Sequence, residues 1–344
     1  MAYTTVNKST DYFNTKLYTG NSSTQNITGL DFQPDWVSIK DRGATNSFMT
    51  FDAVRGATEL INWNTTNAES TQTPTLTSFN SDGFSIGNNT ALNTNGNNLV
   101  AWNWKANGQG SANTDGTINS TYTSANTTAG FSIVKYTATG SNGTVGHGLG
   151  VVPKMIIIKD LDDSGGSNWA VYHNSIGNTK FLELNNTGVQ DTSSGLWNNT
   201  TPTSSVFSIG TNTRVNNSGN NFIAYCFAEK QGYSKIGSYI GTSSADGVFI
   251  YTGFKPSFFM ARCIDNAESW YIFDNKRQGY NAENRDLYPD ANYGEGSTDW
   301  LDILSNGIKF RYASIGLNAS SNNYIYYAVG QSLVGSNNVP CTAR

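Results

Sequence analysis

One pattern, strand-like residues, a proline and a second strand, occurs three times in this chain. A recurrence of this kind constrains the fold more than any single motif, because each repeat is a unit that needs its own partner surface. The first instance is Phe32-Gln-Pro34-Asp-Trp-Val-Ser-Ile-Lys40. The second is Val152-Pro153-Lys-Met-Ile-Ile-Ile-Lys159, and the third is Phe254-Lys-Pro256-Ser-Phe-Phe-Met-Ala-Arg262. The prolines stand 119 and then 103 residues apart, and a basic residue follows each one six positions on. An aromatic strand comes next: Phe48-Met-Thr-Phe-Asp52, Trp169-Ala-Val-Tyr-His173 and Trp270-Tyr-Ile-Phe-Asp274. Then come Gly83-Phe-Ser-Ile-Gly87, Val206-Phe-Ser-Ile-Gly210 and Gly307-Ile-Lys-Phe-Arg311. Each set closes with a longer run: Asn97 to Trp104, Asn220 to Phe227 and Asn322 to Val329. A Tyr-Thr pair near Gly20, Gly140 and Gly253 is read as the opening strand of each set.

These runs alternate with a period near two, and β-branched and aromatic residues fill them, as strands prefer. Pairs such as Asn95-Gly96, Ser218-Gly219 and Asp82-Gly83 supply the turns between them. The chain has 44 Asn, 39 Thr, 36 Ser and 35 Gly, residues that weaken or compete with a helix backbone. The one helical candidate is Ala282 to Leu287. The expected class is therefore all-β: three tandem repeats of roughly 100 residues, each a β-sandwich of jelly-roll or lectin-like type. The expected units are 1–110 with an N-terminal arm, 111–230, and 231–344 with a C-terminal tail. Linkers are expected near Gly108–Gly130 and Lys230–Asp246. The preferred arrangement is three sandwiches in tandem, and the alternative is a single closed body with pseudo-threefold symmetry.

Composition narrows the function. Only 13 % of residues are charged, and the net charge is −4, against a basic nucleic-acid binder. With 17 Phe, 18 Tyr and 8 Trp the chain is too aromatic for disorder. No apolar run reaches the roughly 18 residues of a membrane span, so no membrane insertion is expected. The opening residues lack a hydrophobic leader, so synthesis in a cytoplasm is expected. Cys226, Cys263 and Cys341 show no metal or redox spacing.

Several segments resemble a family encoded by marine tailed phages of cyanophage and pelagiphage type. They are Gly130-Phe-Ser-Ile-Val-Lys-Tyr-Thr-Ala-Thr-Gly140, Val145-Gly-His-Gly-Leu-Gly150, Asn168-Trp-Ala-Val-Tyr-His173, Tyr225-Cys-Phe-Ala-Glu229 and Val339-Pro-Cys-Thr-Ala-Arg344. The resemblance implies a virion structural protein, a tail fibre, appendage or capsid decoration made in the host cytoplasm. Its expected partners are other copies of itself and other virion proteins, with host-surface glycan as a further contact. It implies no site residues. The alternative function is a glycan-binding adhesin or receptor-binding module.

His147 sits in a Gly-rich turn, and His173 stands where the other two sets have Asp. No Gly-x-Ser-x-Gly elbow supports a nucleophile, and no catalytic residue is expected. Asp160-Leu-Asp-Asp163 reads as a solvated turn, with calcium as the lesser reading. Asp52 and Asp274 are expected to bond a neighbouring turn or Arg55 and Arg277, each three residues on. Gly148-Leu-Gly150 precedes a strand, not a helix, so it is no nucleotide loop. No cofactor or metal is expected. Trp300, Tyr324, Tyr326 and Tyr327 are the candidates for glycan or partner contact, through stacking on sugar rings. The same residues also read as core strands.

Overall fold

A computed structural model describes residues 4–332. It is all-β, with every strand pair antiparallel, and three four-residue helices (Thr90–Asn93, Ser194–Trp197 and Thr213–Asn216). Three large sheets share one four-strand order. In sheet I the order is Phe13–Thr19, Asn98–Trp104, Trp36–Asp41, Met49–Asp52. In sheet II it is Phe131–Thr137, Asn221–Phe227, Met155–Asp160, Ala170–His173. In sheet III it is Ser234–Ile240, Asn323–Ser332, Phe254–Cys263, Tyr271–Asp274. The register agrees as well: Trp36 pairs with Trp104, Met155 with Phe227, and Phe258 with Val329.

Each large sheet carries a small one on its outer face, which makes a two-layer sandwich. The small sheets are built on Gly83–Ile86, Val206–Ile209 and Gly307–Phe310. Alternation along the strands sorts side chains between two cores. In Asn98–Trp104, Leu99 and Ala101 enter the core between sheet I and its small partner. Val100, Trp102 and Trp104 point the other way, into a central core. That central core also takes Tyr225 and Phe227 from sheet II, and Phe258, Met260 and Tyr327 from sheet III. The inner faces of all three large sheets therefore bury one another. Trp36 packs on Trp104 at 4.4 Å and on Tyr225 at 4.4 Å, and Phe227 lies 4.9 Å from Tyr327.

A repeated corner fixes the entry to each sandwich. The hydroxyls of Tyr18, Tyr136 and Tyr239 donate to the carbonyls of Leu92, Val215 and Leu317. The following Asn93, Asn216 and Asn318 accept backbone N–H groups of Asn21, Thr139 and Thr242. A fully buried amide or phenol needs such partners to offset its lost hydration.

Several sequence expectations are corrected here. The arrangement is a closed body about one core rather than a string of sandwiches, because both faces of the long strands are apolar and both need cover. The opening strand of the third set is Ser234–Ile240, with Tyr239 in the place of Tyr18. The Tyr251-Thr-Gly253 run belongs to the small-sheet strand Phe249–Tyr251 and its turn. Both expected linkers hold strands: Ser111–Asn113 and Ser120–Asn126 widen sheet II, and Ser234–Ile240 is part of sheet III. Residues 282–287 form no helix, since Glu283 N–H donates to Leu301 O and Leu287 N–H to Ile272 O. The N-terminal arm packs on its own chain, with Val6 in the central core and Ser9 N–H donating to Gln331 Oε1. The tail beyond Ser332, with Cys341, lies outside the described residues.

Candidate functional site

The chemistry-bearing side chains converge on the three seams where the large sheets meet. Asp52, His173 and Asp274 end equivalent strands, and each is fully buried. Asp52 Oδ2 accepts from Arg55 Nε at 2.5 Å and from the Tyr225 hydroxyl of sheet II at 2.7 Å. Asp274 Oδ2 accepts from Arg277 Nε at 2.6 Å and from the Trp102 indole of sheet I at 3.0 Å. His173 Nε2 lies 3.3 Å from the Tyr326 carbonyl of sheet III. Sheet I thus receives from II, II donates to III, and III receives from I. The ties run around the ring.

Electrostatics follow from burial. The two arginines lose water, but the carboxylates beside them more than reverse that loss and hold both guanidiniums above their ordinary pKa. Burial drives the Tyr225 phenol well up, so it stays a donor to Asp52. Burial lowers His173 to about 4, so its ring is neutral at pH 7. Nδ1 accepts the Ser175 N–H, which places the remaining proton on Nε2, facing Tyr326 O. His147 is arranged alike: Leu149 N–H donates to Nδ1, Nε2 faces Thr203 O, and burial lowers its pKa. Neither ring has a free nitrogen to offer a substrate.

The basic residue six positions after each proline has the same fate. Lys40, Lys159 and Arg262 are fully buried and solvated by backbone carbonyls. Lys159 Nζ donates to Asp160 O and, across the I–II seam, to Thr66 O. Arg262 donates across the II–III seam to Glu183 O at 2.7 Å, to Asn186 O at 2.9 Å and to Gly188 O. Lys40 donates to Asp41 O and Ala44 O. Burial lowers Lys40 and Lys159 to about 8. One backbone bond recurs at all three seams: Glu69 N–H to Leu161 O, Gln190 N–H to Ile264 O and Glu295 N–H to Arg42 O. At the third seam Arg42 also pairs with Glu295 at 2.7 Å.

The Asp160–Asp163 turn uses its carboxylates internally. Asp160 Oδ1 accepts the N–H groups of Asp162 and Asp163, and Asp163 Oδ1 accepts that of Gly165. Asp41 plays the same part for Gly43 and Ala44. Among the described residues no group of three or more His, Cys, Asp or Glu side chains is placed to hold a metal ion.

The four aromatic candidates are inside the protein. Tyr324 stacks on Tyr239 at 4.8 Å, Tyr326 on Phe259 at 5.9 Å, and Trp300 packs edge-on to Tyr271 at 4.9 Å. Tyr327 is in the central core. All four are buried and engaged by neighbouring rings, so sugar stacking at these positions is replaced by core packing. Alternate residues of one strand serve two cores, so three tyrosines in four positions are all interior. A groove that the sequence reading missed lies between sheets III and I, beside Thr15, Lys255 and Lys276. Its residues come from distant parts of the chain. The available signal was basic character at Lys255 and Lys276, where the other two sets have Gln33 and Val54, or Val152 and Ser175.

Among the described residues, no helix is long and apolar enough to cross a membrane. Compared with known protein families, residues 8–332 match a domain of unknown function (DUF7483), and the chain belongs to that family. No curated protein and no solved structure matches it significantly.

Proposed function

We propose that this member of the DUF7483 family is a non-enzymatic structural protein of a phage particle, built from three β-sandwich repeats and assembled with copies of itself. The observation that carries the reading is how its reactive groups are used. The buried carboxylates Asp52 and Asp274, the histidine at the equivalent position and the buried cations Lys159 and Arg262 tie sheet to sheet. A chain that commits its acids, bases and cations to internal closure is organised for a rigid shape. Low charge suits long contacts between subunits, because little charge must be desolvated there. The resemblance of the Gly130–Gly140, Asn168–His173 and Val339–Arg344 segments to marine phage proteins is what supports the particle as its location.

Cryo-EM of purified particles, with mass spectrometry of their proteins, tests the proposal. Density into which this chain can be traced, on tail, fibre or capsid, is the expected result. Absence of the protein from purified particles would overturn it.

A further inference from the structure

A cleft of about 640 Å³ opens where sheet I meets the third sandwich, with Gly43 and Asn98 on one side and Arg285 and Glu295 on the other. The threefold repeat shows what belongs beside such an asparagine. In the second sandwich Asp162 Oδ2 accepts the backbone N–H of Asn221 at 2.6 Å and its side-chain amide at 2.8 Å. In the third, Asp265 Oδ2 accepts the same two donors of Asn323, at 2.7 and 2.8 Å. Asn98 is the equivalent asparagine, since Arg42, Leu161 and Ile264 donate their N–H groups to the carbonyls of Asn98, Asn221 and Asn323. The residue after each of those donors is Gly43, Asp162 or Asp265. The first sandwich therefore keeps the donors and lacks the acid. We propose that this cleft binds an acidic peptide, one of whose carboxylates takes the place that Asp162 and Asp265 fill in the other two sandwiches. Such a site goes beyond the particle assignment and does not depend on it.

Three independent observations carry it. The first is accessible donors. Asn98 is exposed, and neither its N–H nor its side-chain amide has a partner among the described residues. The second is room. A Cβ built on Gly43 meets nothing within 4 Å, and the φ of Gly43 lies outside the left-handed region. The space that an aspartate side chain occupies in the other two sandwiches is thus open here, and no neighbour has moved in to fill it. The third is charge. Arg285 lines the cleft, and its guanidinium pairs with no carboxylate among the described residues. The two carboxylates in the lining are already engaged. Asp41 accepts the N–H groups of Gly43 and Ala44 and the amides of Asn46 and Asn97. Glu295 pairs with Arg42 and Arg277. What remains is one guanidinium, one N–H and one amide, a donor set that an incoming carboxylate satisfies through charge-assisted bonds. The volume is in the range of small-ligand sites. No aromatic residue lines the cleft, so a sugar acid would find no ring to stack on, whereas a peptide needs none.

Amide-detected NMR titration of the isotope-labelled full chain tests this with three probes: the capped tripeptide Gly-Asp-Gly, its neutral analogue Gly-Asn-Gly and methyl glucuronide. Saturable binding of the aspartate peptide is expected, with the Asn98 N–H among the most shifted signals and no saturable binding of the asparagine peptide. Gly43→Asp supplies the acid from the chain itself, as the other two sandwiches do. It is expected to keep the fold, to move the Asn98 N–H in the direction that the peptide moves it, and to abolish binding. Arg285→Ala is expected to weaken binding about tenfold without lowering the melting temperature. No saturation by the aspartate peptide at about 50 mM overturns the proposal, since any affinity would then be weaker than a specific contact of this kind gives. Binding that survives Gly43→Asp, or that Arg285→Ala leaves unchanged, overturns it as well. So does equal affinity for the asparagine peptide, or tighter binding of the glucuronide. Each of these failures leaves the particle assignment standing, because that rests on particle composition.

Discussion

Asp274→Ala tests the closure of the ring at its last seam. In the native protein Asp274 accepts Arg277 Nε at 2.6 Å, the Trp102 indole at 3.0 Å and two backbone N–H groups of the following turn. Without the carboxylate, a fully buried guanidinium keeps Glu295 at 3.3 Å and the Ile272 carbonyl. Breaking a buried pair costs about 3–5 kcal/mol. The retained Glu295 contact favours the lower half of that range. The orphaned Trp102 N–H adds about 1 kcal/mol. A net loss of about 4 kcal/mol follows. Unfolding entropy near 2.1 cal/mol/K per residue, over roughly 330 residues, amounts to about 0.7 kcal/mol/K. The melting temperature should therefore fall by about 6 °C. Differential scanning calorimetry reads both the shift and the cooperativity. One transition that moves as a whole is expected, because sheets I, II and III share a core. Two or three peaks, with only one displaced, would refute the reasoning, since each sandwich would then melt alone.

Other consequences can be checked on the same protein. His173 titrates near 4 when folded and near 6.5 when unfolded, so its contribution to stability is complete above pH 6.5 and is lost as pH falls to 4. That loss is about 3 kcal/mol, and urea melts of His173→Gln should show a flatter fall across this window than the wild type. Glu283, raised to about 7 by burial, acts with the opposite sign in both proteins and cancels in the comparison. A Cβ on Gly83 would lie 1.9 Å from Ile27 O, whereas one on Gly96 meets open space. Gly83→Ala should cost about 2–4 kcal/mol, and Gly96→Ala about 1 kcal/mol from its positive φ alone, by denaturant melts. Burial pushes the Cys226 thiol up to about 12, and Cys263 is also buried. In a Cys341→Ser variant neither thiol should react with Ellman's reagent until the protein is unfolded.

The strands were legible because their landmarks recur and alternate. The Asp52–Arg55 and Asp274–Arg277 bonds were legible because three residues in a tight turn bring those side chains together. Closure was hidden for a physical reason. Tyr225 meets Asp52 and Trp102 meets Asp274 across more than 170 residues, and nothing local in the sequence marks such a partner. The clue that was present is the apolar character of both faces of Asn221–Phe227, which a sandwich with one wet face would not need. Ser120–Asn126 looked like linker because Ser, Thr and Asn dominate it, yet it pairs with Phe131–Thr137 and extends sheet II. Backbone pairing overrode weak side-chain propensity there. Tyr324, Tyr326 and Tyr327 read both as a stacking surface and as core strands, because aromatic content alone does not separate the two, and their burial decides for the core.

Small-angle X-ray scattering on the monomeric protein tests the closed body most directly. A compact chain of this length has a radius of gyration of about 20 Å. Three sandwiches of about 13 Å each, strung about 30 Å apart, would give about 28 Å. A value near 20 Å with a bell-shaped, single-peaked distance distribution is the result that closure about one core predicts. A value near 28 Å with a long tail of distances would contradict it.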